Sequence, residues 1–304
     1  LIKCHGFYQQ KNRDDRSAAH SFMLRIRLPG GLLTADHYLA CDEVATGFGS
    51  GTLRLTTRQT IQFHGLAKSS LKPAIARLAA AGLTTAGACG DLVRNIIFLA
   101  GSSDEPLAGE LAALGRQLSD HFLFQSSAYA EIWLGAPKGS RDEGFYGSTY
   151  LPRKFKIAMT IDGENMTDLL TNDLGLAATA APSGSIDGFH LFAGGGLGML
   201  PSRATTFPRL ADPIGWFPAA LLVRVVEAAV AVHRDHGDRS DRHHARLKYL
   251  LAERGAAWFR GEIEGRAGVC FEERRTAPWQ VARRLGRIAR SDGSWELGLR
   301  LPFG

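Results

Sequence analysis

The chain has 304 residues, 45% of them apolar and 22% charged, with a net charge of +6. That balance excludes a disordered or collagen-like chain and leaves room for one large domain or two ordinary ones. The excess of Lys and Arg points to an anionic partner, without choosing among nucleic acid, acidic lipid, a polycarboxylate cofactor or a small oxyanion. Cys4, Cys41, Cys89 and Cys270 lie far apart, with no C-x-x-C. They form neither a disulfide framework nor a zinc knuckle, so a reducing cytoplasm is the expectation. No signal peptide is visible. The longest apolar run, 217–232, is interrupted by Arg224 and Glu227 and reads as a core helix. Leu1 at the start and a pattern broken at Gly304 suggest a piece of a longer protein.

In chain order, 22–28 reads as a strand that turns at Leu28-Pro29-Gly30-Gly31. Thr34 can cap a helix running to about Thr46, with Gly47 as its stop. Residues 52–63 give the best strand signal. Ser70 opens a second helix through Leu71, Ile75 and Leu78, which Gly82 ends, and a short strand follows near Leu83. This β-α-β-α-β order predicts a small α+β domain. Asp104 then caps a helix carrying Leu107, Leu111, Leu114 and Leu118. Strands are expected at 130–134, 155–161 and 188–192, with a polar loop at 135–147. Long helices are expected at 217–236 and 241–254, with a mixed segment at 266–277 and a connection at Pro278. Leu24-Arg25-Ile26-Arg27-Leu28-Pro29-Gly30-Gly31 lines up with Leu297-Gly298-Leu299-Arg300-Leu301-Pro302-Phe303-Gly304, which suggests a repeat that begins where the chain ends.

Side chains alternate along a strand, so 53–64 would place Arg54, Thr56, Arg58, Thr60, Gln62 and His64 on one face. The opposite face is mostly apolar. Such a row of donors suits a ligand with several carboxylates, because arginine forks bind them at two points; a solvated sheet face is the plainer alternative. Arg25 and Arg27 also share a strand face, and Arg94 follows the glycine-flanked turn Gly87-Ala88-Cys89-Gly90-Asp91. Lys154 and Lys156 project to one side of a strand, roughly 7 Å apart. Exposed, that pair is an ordinary surface feature; buried, it is an anion clamp and proton source. The run Gly194-Gly195-Gly196 after an apolar strand lets backbone N–H groups approach an acidic ligand, although it matches neither the Walker nor the Rossmann spacing. His233, His236, His243 and His244 lie among Asp235, Asp238 and Asp241; a metal site is conceivable there, but a charged, solvated connection fits the pattern better.

Six ordered segments together resemble the nitrite/sulfite reductase family, and within it the N-terminal half of the NADPH-type sulfite reductase haemoproteins. They are 4–10, 23–31, 55–65, Gly90-Asp91-Leu92-Val93-Arg94-Asn95, Leu151-Pro152-Arg153-Lys154-Phe155-Lys156 and the glycine run at 193–199. The resemblance implies an α+β fold: a ferredoxin-like half-domain at 1–100, a siroheme-binding domain at 101–275 and the start of a second ferredoxin-like repeat at 285–304. It implies siroheme, a tetrapyrrole with eight carboxylate arms, coupled to a [4Fe-4S] cluster. Arg54, Thr56, Arg58, Gln62, His64, Arg153, Gly194, Gly195 and Gly196 would then serve the macrocycle. Arg25, Arg94, Lys154 and Lys156 would surround the substrate. The implied reaction is six-electron reduction of sulfite to sulfide in sulfur assimilation, with a flavoprotein subunit or a ferredoxin as electron donor. The alternatives are a ferredoxin-dependent nitrite reductase and a non-catalytic basic protein binding anions or nucleic acid. Family members that reduce nitrite usually carry Asn where Lys156 stands, which favours sulfite. The family's cluster ligands follow a later C-x5-C…C-x3-C pattern that none of the four cysteines fits, so this stretch alone is expected to lack the cluster and to be inactive.

Overall fold

The structure, a computed structural model, describes residues 2–10, 21–99, 107–124, 144–281 and 285–301. Near the N-terminus, strands β1 (Phe7–Gln10), β2 (Ser21–Arg25), β3 (Leu53–Leu55) and β4 (Ile61–Leu66) form an antiparallel sheet in the order β1-β2-β4-β3. Helices α1 (Ala35–Phe48) and α2 (Leu71–Ala80) cover one face of it. Leu24, Ile26, Ile61 and Phe63 are fully buried there against Val44, Ala74 and Leu78. The expected Thr34 cap is present: its hydroxyl accepts from the His37 amide at 3.2 Å, while the His37 ring accepts from the Thr34 N–H.

The expected single strand over 52–63 is a hairpin instead. Residues 56–59 turn, with the Thr56 N–H donating to the Thr60 carbonyl and Gln59 in the left-handed region at φ 50°. Pairing then sets Arg54 opposite Gln62 and Arg25 opposite Gln62 on the other side. Cross-strand partners share a face, so Arg25, Arg54, Gln62 and His64 still lie together on the side away from the helices.

A second, five-stranded sheet runs β5 (Ile97–Phe98), β6 (Ile157–Ile161), β7 (Leu174–Ala180), β8 (Ile186–Ala193), β9 (Asp212–Pro218). The first three strands are parallel and the last two antiparallel. Its larger core lies against α3 (Ala108–His121), α4 (Leu222–His236) and α6 (Ala256–Ala267), around Phe155, Phe189, Phe217, Val226 and Phe259. The helix expected to start at 217 begins later. Phe217 and Pro218 end β9, and a tight turn at Ala219–Leu221 precedes α4. The helix expected at 241–254 is shorter, as α5 (Leu247–Arg254), and α6 follows directly after Gly255. Asp104, the strand at 130–134 and most of the loop at 135–147 lie outside the described residues. Near the C-terminus, β10 (Gly286–Ala289) and β11 (Trp295–Gly298) form a separate hairpin, and Leu297 and Leu299 are exposed. No helix among the described residues is long and apolar enough to cross a membrane.

Three side chains lock the two sheets together. Asn95 donates to the Leu28 and Arg58 carbonyls at 2.7 and 2.8 Å and accepts from the Leu28 N–H. Gln59 exchanges two hydrogen bonds with the Phe98 backbone. Arg27, expected to share a strand face with Arg25, instead turns inward and is buried. Its guanidinium donates to the Ser119 hydroxyl and carbonyl at 3.0 and 2.7 Å and to the Gly87 and Val93 carbonyls. Strand β2 ends at Arg25, which removes the alternation that paired the two arginines. Gly30, at φ 66°, packs under the Phe98 ring, where a Cβ would lie 2.0 Å from a ring carbon.

Candidate active site

The site forms where the polar face of the first sheet meets the leading ends of β6 and β7. Arg94 and Phe155 pair through backbone, the Arg94 N–H donating to the Phe155 carbonyl at 2.8 Å. Phe155 is fully buried, so Lys154 and Lys156 on either side of it face the opposite way, toward Arg94. Arg94 is held by the Gly90 carbonyl at 2.7 Å. Arg25 reaches the Cys89 Sγ at 3.4 Å. With the Gln62 amide oriented to satisfy its neighbours, its oxygen accepts from Arg25 and its nitrogen donates to His64 Nε2 at 2.9 Å. His64 Nδ1 then donates to Gln10 Oε1 at 2.9 Å. The structure thus brings Arg25, Arg94, Lys154 and Lys156 into one cluster.

Arg58 crosses from the first sheet to the second. It donates to Asn172 Oδ1 at 2.5 Å and to the Asn95 and Ile157 carbonyls at 2.6 and 2.8 Å. Its buried Nε has no hydrogen-bond partner among the described residues. Arg153 shares the Asp91 carboxylate with Arg242, at 3.5 and 2.8 Å. The exposed Arg54 lies at the sheet's edge. Thr56 uses its hydroxyl inside the turn, accepting from the Arg58 N–H at 3.3 Å.

The glycine run does not work as expected. The Gly194, Gly195 and Gly196 N–H groups already donate to the Asp173, Asn172 and Arg209 carbonyls, at 2.9, 2.9 and 2.7 Å. These donors are not offered to a ligand. The run allows close packing instead: a Cβ on Gly195 would lie 2.2 Å from the Leu170 carbonyl oxygen.

Sequence reasoning missed the site's buried carboxylate. Asp173 is fully buried; it accepts the Lys156 backbone N–H at 2.8 Å and takes both arms of Arg246, at 2.9 and 2.8 Å. Lys248 was missed too, buried with its ammonium on the Gly196, Gly198 and Phe207 carbonyls. The histidine-rich segment separates in space. His233 is fully buried, and His244 pairs with Asp241 at 2.8 Å. No group of three or more His, Cys, Asp or Glu that could hold a metal occurs among the described residues.

Burial among like charges dominates the electrostatics. It pulls Lys154 down to about 8, with Lys156, Arg94, Arg246 and Arg153 adding to the effect. It pulls Lys156 to about 8 as well; Arg246, Arg58 and Arg94 add to this, and Asp173 opposes. Burial brings Arg58 to about 9, which leaves its guanidinium charged at neutral pH. His64 is lowered by burial and then by Arg54 and Arg25. Neither lysine ammonium has a hydrogen bond or ion pair among the described residues. A cleft of about 370 Å³ opens beside Arg153, Lys154 and Arg246, with Met199 and Leu200 on its other wall. Such a cluster binds anions through fixed charge and holds protons near neutral pH. Because both ammoniums are lost as pH rises through about 8, affinity for an oxyanion of constant charge, such as sulfate, should fall across that range and not near 10.5. Calorimetric titrations at pH 7 and 9 would check this; equal affinities would contradict it.

The residues present suit a polyacidic macrocycle: an excess of cations lines the cleft, and the buried Arg58 Nε lacks a protein acceptor among the described residues. They do not suit an iron–sulfur cluster. Cys4 packs against Gly90 beside Cys89, Cys41 is buried in the core of the first sheet and Cys270 is exposed, so no four thiolates converge among the described residues and no cluster step is assigned to them.

Taken together, the fold and this cation-lined cluster define an α+β protein with a site suited to anions. Residues 112–271 match the family described as Nitrite and sulphite reductase 4Fe-4S domain, and 13–81 match the Nitrite/Sulfite reductase ferredoxin-like half domain. The chain belongs to the nitrite and sulphite reductase family. It is 42% identical over 315 residues to the "Sulfite reductase [NADPH] hemoprotein beta-component" of Myxococcus xanthus, and 42% identical over 319 residues to that of a Shewanella species. In each case all of this chain aligns with 56% of the other, so it spans about half the length of these relatives. The Mycobacterium tuberculosis NirA structure superposes with a TM-score of 0.76 at 26% identity, over 96% of this chain and 51% of that one. Dissimilatory sulfite reductase I matches in fold, with a TM-score of 0.58 over 86% of this chain and 73% of that one, at 12% identity.

Proposed function

We propose that this chain forms the substrate-binding half of a siroheme-dependent sulfite reductase, which reduces sulfite to sulfide in sulfur assimilation. The observation that carries the proposal is the convergence of Arg25, Arg94, Lys154 and Lys156, from separate segments, with both lysine ammoniums unpaired among the described residues. In this reading Arg54, Arg58, Gln62, His64 and Arg153 hold the acidic arms of siroheme, with the Thr56 turn and the glycine run shaping the walls. Bound siroheme and its cluster supply the electrons. Arg25 and Arg94 hold the oxyanion by preorganised charge. Lys154 Nζ and Lys156 Nζ hold protons at the departing oxygens. Sulfite takes up six electrons and six protons to give sulfide and three waters, so a proton source beside the oxygens is required throughout. The lowered lysine pKa values match that task, because a donor is most effective near the working pH. The names of the relatives support an NADPH-oxidising partner as electron donor.

Lys156 is the substrate-discriminating position in this proposal. In the whole protein, Lys156→Asn should lower kcat/KM for sulfite about tenfold or more while lowering that for nitrite less, since one charge-assisted contact to the more highly charged anion is lost. Steady-state assays with a chemical reductant on both substrates measure this. An equal loss on both would remove Lys156 from substrate choice, and absence of sulfide production by the unmodified whole protein would end the proposal.

A further inference from the structure

Asp173 stands out among the groups that the proposed chemistry does not use. It begins the path into β7 and is fully buried, yet it meets three parts of the site. Its Oδ2 accepts the Lys156 backbone N–H at 2.8 Å. Its two oxygens take the Arg246 fork at 2.9 and 2.8 Å. Its own carbonyl accepts the Gly194 N–H at 2.9 Å, while neighbouring Asn172 accepts from Arg58 at 2.5 Å and, through its carbonyl, from the Gly195 N–H. One dipeptide therefore ties together β6, the end of β8, the start of α5 and the tip of the β3–β4 turn.

The manner of contact matters more than the number. A carboxylate beside a lysine ordinarily pairs with the ammonium and neutralises it. Asp173 instead grips Lys156 by its backbone and directs its charge to Arg246. The Lys156 ammonium stays unpaired among the described residues, next to a guanidinium fixed at two points. The titratable groups facing Asp173 are Arg58, Lys156, Arg246, Lys248 and His233, the last kept neutral by burial, which lowers it to about 4. Asp91, the other carboxylate near the cluster, sits at the rim with Arg153 and Arg242.

We propose that Asp173 is a positioning residue: it fixes the Lys156 backbone and the Arg246 fork together, so that both cations face one bound oxyanion. The proposal rests on the sulfite-reductase reading above. It assigns to Asp173 no contact with substrate or cofactor.

The test uses the siroheme-loaded whole protein. Sulfite affinity is read from the visible absorption change, haem content is read alongside, and the reactivity of Lys156 toward acetic anhydride is followed against pH by mass spectrometry. Asp173→Asn keeps an oxygen for the Lys156 N–H but loses the charge and the two-point hold on Arg246. It should weaken sulfite about tenfold or more, as expected for residues coupled through direct contacts. It should also move Lys156 labelling to lower pH, because the Asp173 charge favours the ammonium. If that variant does not take up haem, Asp173→Asn with Arg246→Gln is read in its place. It removes the carboxylate and its fork partner together instead of stranding the Arg246 charge, and should show at least the same weakening with haem retained. Parent-like sulfite affinity in a haem-loaded variant would overturn the proposal. So would a fall in affinity that only follows lost haem in both variants, which would mark Asp173 as a folding residue alone. Should the unmodified protein show no spectral response to sulfite, the functional reading fails, and the labelling comparison still decides whether Asp173 sets the state of Lys156.

Discussion

Replacing Lys154 and Lys156 together with methionine should lower sulfite turnover by the whole protein at least about a thousandfold, as expected when a proton donor and a preorganised charge are removed together. Methionine keeps an unbranched apolar stem, so the change removes the charge with little effect on packing. Both ammoniums lie near Arg94 and Arg246, and burial lowers each to about 8. Removing two crowded like charges relieves repulsion, so the folded protein should be no less stable and should retain siroheme. That combination, lost turnover with an intact fold and chromophore, is what separates a catalytic role from a structural one. Turnover within tenfold of the parent would show that the lysines are not the proton source.

Arg27 predicts the opposite pattern. Arg27→Ala should destabilise the protein by about 3–5 kcal/mol, since it strands several buried acceptors and leaves a cavity. The guanidinium serves four acceptors: the Ser119 hydroxyl, and the Ser119, Gly87 and Val93 carbonyls. Alanine would leave buried carbonyls unpaired and open a cavity between β2 and α3. Loss of the Gly87 and Val93 contacts loosens the turn that carries Arg94, so sulfite affinity should fall as well, secondary to folding. Chemical denaturation of parent and variant measures the difference, and a change below about 1 kcal/mol would contradict this account of Arg27.

The sequence made the site more legible than its scaffold. Leu24, Ile26, Ile61 and Phe63 were readable as one apolar face because alternation along a strand is a local property. The hairpin at 56–59 was not readable: no Gly, Pro, Asn or Asp marks the turn, and Gln59 carries the left-handed conformation. The mistake left part of the site intact, since Arg54 pairs directly opposite Gln62 and pairing preserves the face that alternation had assigned. Arg58 moved from a sheet face to a bridge between the two sheets. Lys154 and Lys156 were legible because a buried Phe155 separates them. Asp173 was invisible, as its partner Arg246 lies 73 residues away and a carboxylate before a strand ordinarily signals a turn. The glycine run was read as a set of free donors because sequence shows that glycine permits close approach, but not what approaches. Here it is the Leu170 and Asn172 backbone.

In the proposed function, ammonium and guanidinium groups from separate segments hold one small oxyanion beside the macrocycle. A titration of the siroheme-loaded whole protein with sulfite, followed in the visible spectrum, tests it most directly when repeated on the Lys154→Met, Lys156→Met variant. A saturable spectral change in the parent, weakened about a hundredfold or more in a variant that keeps its siroheme band, is the predicted result for loss of two charge-assisted contacts. Equal affinity in the two proteins would contradict it.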